Sequence, residues 1–165
     1  MGLIALAVTI NVVARQTQQT EKPTQTDHDH MSGVNKRGDQ AMGFDHEKTT
    51  HHFLLKSDGG IIQVTANDAK DTASRDQIRM HLHHISMMFS QGNFEIPMFV
   101  HDRTPPGVDV MKRLKDSITY KYDEIESGAR VILVSSSPDA LSGIHDFLKF
   151  QIEDHKTGDP NVPGK

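Results

Sequence analysis

The chain has 165 residues, is 35% hydrophobic and 24% charged, carries a formal charge of -4, and contains 11 His, 8 Met and no Cys. That length fits one domain with a real core, and the polar balance leaves part of the chain outside it. A mildly acidic sequence without a basic stripe argues against nucleic acid or an anionic membrane as partner, and without Cys there is neither disulfide framework nor thiolate chemistry.

In chain order, residues 1–14 come first. Leu3, Ile4, Leu6, Val8 and Ile10 form an apolar run of signal-peptide length, too short to span a bilayer. No Lys or Arg precedes it, so either the natural start lies upstream or the export signal is imperfect. The expected location is periplasmic or secreted, without stable membrane insertion after processing. Residues 15–43 read as a flexible tether: Gln and Thr dominate its start, His28, His30 and Met31 follow, and Gly33, Gly38 and Gly43 punctuate the rest. His28, His30 and Met31 offer a loose surface site for copper.

The expected folded domain spans 44–159, with a disordered tail at 160–165. Residues 52–56 and 61–65 alternate around Asp58-Gly59-Gly60, a strong hairpin signal. Residues 71–90 read as a helix with Ser74 as cap, Gln77 completing a capping box, and an apolar stripe of Ile78, Leu82, Ile85 and Phe89. Residues 94–101 alternate like an edge strand despite Pro97. Pro105-Pro106-Gly107 breaks the chain before a short helix over 108–116, and a second hairpin turns at Ser127-Gly128. Ser137, Pro138 and Asp139 open the last helix, which is expected to bury Leu141, Ile144, Leu148 and Ile152.

Ile78, Leu82, Gly92 and Asn93 correspond, at a constant offset of 66, to Ile144, Leu148, Gly158 and Asp159. Such a match points to a duplicated ββα unit. The expected fold class is therefore α+β: two ββα units forming a four-stranded antiparallel sheet with the helices on one face.

Chemistry concentrates in His and Met. Imidazole binds copper, zinc, nickel and iron, and thioether adds affinity for Cu(I). His81, His84 and Met88 lie at i, i+3 and i+7 on one flank of the first long helix, while Met80, His84 and Met87 form a second group there. The second unit replaces this face with Phe147, Lys149, Phe150, Glu153 and Asp154. His46 precedes His51 by five residues, one too many for a zinc-protease helix motif. In an extended segment His51 and His52 face opposite ways, so one of the pair can join His46 and the helix histidines. His101, His145 and His155 stand alone and read as hydrogen-bonded or exposed. Arg37-Gly38-Asp39 matches a cell-adhesion tripeptide that arises readily by chance. No nucleophile elbow, phosphate loop or dinucleotide fingerprint is present, and nine aromatic residues are few for a porphyrin pocket, which disfavours haem.

The run from Gly33 through Gly43, Phe44 and His46 to His51, His52 and Phe53 resembles a family of small exported bacterial proteins rich in His and Met, of uncharacterised role. The likeness extends through Ser74-Arg75-Asp76, Pro105-Pro106-Gly107 and His155-Lys156-Thr157-Gly158. Some members carry an aspartate carbamoyltransferase label. This chain does not support that activity: transcarbamoylases look about twice as long, and capping accounts for Ser74 and Arg75 before anion binding does.

The sequence reading is an exported protein that binds a transition metal ion, copper before zinc or iron, for buffering, delivery or resistance, through His46, His51, His52, His81, His84 and Met88. The alternatives are a metal-dependent enzyme that uses the same histidines with an open coordination position, or a structural or interaction domain whose histidines are incidental. No particular protein partner is implied.

Overall fold

The computed structural model describes residues 25–164; the expected signal segment and the first part of the expected tether lie outside them. Two hairpins build the sheet. Strand β1 (Thr49–Lys56) turns through Ser57 and Asp58 into β2 (Gly59–Ala66), and β3 (Thr119–Ile125) turns through Glu126 and Ser127 into β4 (Gly128–Val134). The order is β1-β2-β4-β3, antiparallel throughout. Alternation then assigns the faces: Phe53, Leu55, Ile62, Val64, Ala129, Val131 and Leu133 point inward and are buried.

After each hairpin comes a long helix that covers this face. Helix α2 (Thr72–Ser90) buries Ile78, Leu82, Ile85 and Phe89; the last helix (Pro138–His155), α5 below, buries Ile144, Leu148 and Ile152 in the same core. The expected two-unit α+β fold is present. Its symmetry is legible in the register, because Ile62 pairs directly with Val131 at the centre of the sheet. Those two residues occupy the same position in their units, so a pseudo-two-fold axis passes between them. Gly92 ends α2 at φ 76; Gly158, matched at the offset of 66, has the same φ but lies beyond the left-handed cap of α5, Lys156 at φ 51.

Three local expectations are corrected. The cap of α2 is Asp71, whose carboxylate accepts from Ser74 N–H at 3.0 Å and from its hydroxyl at 2.7 Å; Ser74 itself is inside the helix. The expected edge strand over 94–101 is helix α3 (Glu95–His101). Pro97 sits in its first turn, where the missing N–H has no intrahelical partner to lose. Within the expected tether, residues from Gln25 onward form helix α1 (Gln25–Met42), with Val34 fully buried. Its glycines, which lower helix propensity, are offset by docking on α3, where Arg37 Nε donates to Val100 O at 2.8 Å.

Helix α4 (Val108–Arg113) completes the set. Past α5, in the expected disordered tail, Gly164 N–H donates to Leu55 O at 3.0 Å on the open edge of β1. No described helix is long and apolar enough to cross a membrane.

Gly107 starts α4 at φ 81, and a Cβ there would lie 2.1 Å from Gly143 O in α5. Gly107→Ala is expected to lose about 2 kcal/mol or more, combining left-handed strain with this clash. Gly158→Ala, at φ 76 in open space, should lose only the strain, about 1 kcal/mol. Urea denaturation of both variants checks this, and equal losses would contradict the close α4–α5 approach.

Candidate metal centre

Between β1 and the end of α5 lies a cluster of imidazoles drawn from four separate stretches. His51 is on the inward face of β1, opposite Val64. His46 begins a short 3-10 turn (His46–Lys48) that leads into that strand, with Asp45 capping Glu47 N–H at 2.8 Å. His155 closes α5, and His101 closes α3. The rings of His46, His51 and His155 form a triangle with centroid separations of 5.0, 5.8 and 6.1 Å, and their planes agree within 12°. His101 meets His155 edge-on at 5.0 Å. Phe44 and Phe53 pack against the same group, Phe44 with its ring edge-on to His81 at 5.6 Å.

The chain fixes these rings from behind. His46 Nδ1 lies 2.8 Å from Asp39 Oδ1, which also accepts from His46 N–H at 2.9 Å. A carboxylate there requires the proton on Nδ1 and leaves the Nε2 lone pair of the neutral ring free. That Nε2 is buried without a hydrogen-bond partner, and so is His51 Nε2. Gly38 of α1 passes so close that a Cβ would lie 2.2 Å from His46 Cε1. A mid-helix glycine costs about 1 kcal/mol relative to Ala, and here it admits the imidazole. Arg37, Gly38 and Asp39 thus owe their sequence to packing against Val100 and His46.

Asp159 ties the segment after α5 to β1. Its carboxylate accepts from Phe53 N–H at 2.9 Å, from Thr157 Oγ1 at 2.7 Å and from His52 Nδ1 at 2.9 Å. Burial pushes the Asp159 carboxyl up, but these donors outweigh it and hold it below its usual value.

Two hollows meet at the cluster. One, open to solvent and about 340 Å³, is lined by Met31, Asn35, His46, Glu47, His51 and His155 among others. The other, about 70 Å³, lies among Phe53, Val64, Leu82, Phe89 and Phe147, with His51, His81, His101 and His155 on its wall. His51 and His155 line both.

Burial sets the protonation. It drives His51 down to about 3, aided by His46, His81 and His52 nearby. Burial likewise takes His81 to about 4, with His84 and His46 adding to it. His155 falls well below its ordinary value through burial and then His51, His101 and His46, against a weaker opposing pull from Asp154. For His101, burial outweighs the bond from Nδ1 to Asp154 (2.6 Å). His51, His81 and His155 are therefore neutral at pH 7.

Of the six residues expected at the site, the structure brings together His46 and His51 and sets His81 alongside. His52, His84 and Met88 are elsewhere. His52 is on the opposite face of β1, bound to Asp159; His84 is exposed on α2; and Met88, two turns beyond His81, packs on the core. His155 and Met31 take their place. His155 is 104 residues from His51, so only the fold exposes its role. Met31 carried a signal in its neighbouring histidines, although His30 is engaged by Asp154 at 3.0 Å. His145, read as hydrogen-bonded or exposed, binds Lys56 O at 2.9 Å and Gly59 O at 3.1 Å. Among the described residues, no group of three or more His, Asp or Glu side chains as placed forms a metal-holding arrangement. Comparison with family models, curated proteins and solved structures found no match.

In metal-free protein the depressed histidines make acid unfolding start early. A group whose folded value is lowered gives stability that is complete above its unfolded value, here 6.5, and is lost as pH falls toward about 4 for His81 and about 3 for His51. The melting temperature should fall between about pH 6.5 and 4.5, before most carboxylates titrate. His155→Phe should fold, keep its stability at pH 7.5 and lose part of this acid sensitivity. A wild-type melting temperature flat to pH 4.5 would contradict the assignment.

Proposed function

We propose that this protein binds a transition metal ion, copper before zinc or iron, in the periplasm or outside the cell, for buffering, delivery or resistance, with His46, His51 and His155 as its ligands. The observation that carries this reading is the ring triangle with two unpaired buried Nε2 atoms. Imidazoles bound at 2.0–2.1 Å around one ion place their centroids about 3.2 Å from it and about 5.5 Å from each other. The separations of 5.0–6.1 Å bracket that value.

Two further observations support the choice. Met31 lines the same hollow, and three imidazoles with a thioether suit copper in either oxidation state better than they suit iron. The pseudo-symmetric half shows what the position needs for packing alone. There the register places Tyr120 where β1 has His51, and the helix offset places Phe89 where α5 has His155; these rings meet at 6.0 Å, against 5.8 Å for the histidine pair. Phe89 and Tyr120 fill that corner without an imidazole, the Tyr120 hydroxyl being buried without a partner as His51 Nε2 is, so packing does not require histidine at these positions.

A second reading, a metal-dependent enzyme using the same histidines, is favoured by the 70 Å³ hollow behind His51 and His155. It is about half the roughly 150 Å³ that accepts benzene, so a molecule of diatomic size fits beside the ion. A new charge-transfer band when azide meets the Cu(II)-loaded protein would favour the enzyme, and its absence the binder.

Titrated with Cu(II) at pH 7, tag-free protein should bind one tight equivalent. His155→Phe and His51→Phe should abolish it, His52→Ala should retain it, and Asp39→Asn should weaken it by about 10–100-fold through loss of ligand orientation. Absence of tight binding in the unmutated protein would overturn the proposal.

A further inference from the structure

The exposed face of α2 carries soft donors that the buried cluster does not use. Met80 is 70% exposed and Met87 45%, on a residue type that is usually inside. His84 between them is exposed, and among the described residues its ring makes no hydrogen bond. At 100° per residue these three positions fall within an arc of about 60°. Met80 and His84 are four apart and His84 and Met87 three apart, each pair separated by about 5–6 Å between Cβ atoms. An extended thioether from either side can reach an ion held at His84.

Solvation alone does not account for this face. In the duplicated helix the equivalent positions are Asp146, Phe150 and Glu153, with both carboxylates exposed. That is the ordinary way to keep a helix face wet. The first unit instead exposes two thioethers with little affinity for water and flanks an imidazole with them.

We propose that Met80, His84 and Met87 form a second, surface site for Cu(I). Thioether and imidazole together favour Cu(I) over Zn(II), which does not seek thioether sulfur. The site stands independently of the buried cluster. Its use as a point of access for the ion rests on the buried-site reading: His81, one turn before His84, lines the hollow that His51 and His155 share, and His84 and His46 both act on its ring.

The test is an anaerobic Cu(I) titration against bicinchoninate, with the methionine methyl resonances followed by NMR. Wild type should take up two equivalents and shift the methyl signals of Met80 and Met87. The double variant Met80→Leu/Met87→Leu, altered only at exposed positions, should lose the weaker equivalent or bind it at least about tenfold less tightly. Zn(II) uptake should be unchanged in that variant. His155→Phe should keep the surface equivalent; a wild type that takes up only one equivalent, kept in His155→Phe and lost in the double variant, would sink the buried site and sustain this one. Unchanged Cu(I) uptake in the double variant, or methyl signals that do not move, would overturn the surface site.

Discussion

Removing an imidazole from water on all sides penalises its charged form, and that single penalty shapes the region between β1 and α5. His51 and His155 are packed against Phe53 and against each other, and burial keeps both neutral. A neutral imidazole carries one lone pair that it must share or waste. Leaving His46 Nε2 and His51 Nε2 buried and unpaired costs of order 1–3 kcal/mol each. The proposal of a bound metal cation rests on this cost being carried beside an open hollow, because a cation accepts several such lone pairs at once.

The duplicated architecture isolates what is particular to that place. Two ββα units related about the Ile62–Val131 pair build one sheet and one core, and on symmetry alone they would present matching sites. They do not. The corner where β3 meets the end of α2 is closed by Phe89, Phe94, Tyr120 and Phe147, whereas the corner where β1 meets the end of α5 leaves room for α1 to lay Met31, Gly38 and Asp39 over the histidines. Before β3 the second unit has the shorter helices α3 and α4 in the place of α1.

Periodicity and turn chemistry made most of the sheet and both long helices legible in the sequence. The hairpin turns, the Ser137 cap and the offset of 66 are local signals, and local signals survive folding. The segment over 94–101 reads as a strand because Phe94, Ile96 and Met98 alternate, while Pro97 is equally at home in a first helical turn. Helix α1 was hidden because its glycines and polar residues carry little propensity; docking supplies its stability, and docking is not written locally. At the site, His46 and His51 were readable from their spacing around the start of β1. His155 was not, since nothing near residue 155 distinguishes it from an exposed helix-end histidine until α5 is folded back on β1 through Asp159. His52 was drawn in by adjacency to His51, and strand alternation sends it to the other face.

The central claim is that three separated imidazoles present free lone pairs to one ion. Long-range ¹H–¹⁵N correlation of the histidine side chains, before and after one equivalent of diamagnetic Cu(I), reads this directly. The account predicts that His51 and His155 appear as neutral rings at pH 6, that His46 carries its proton on Nδ1, and that nitrogens of all three shift together on loading. Protonated His51 and His155 at that pH, or nitrogen signals that stay in place when the ion is added, would contradict it.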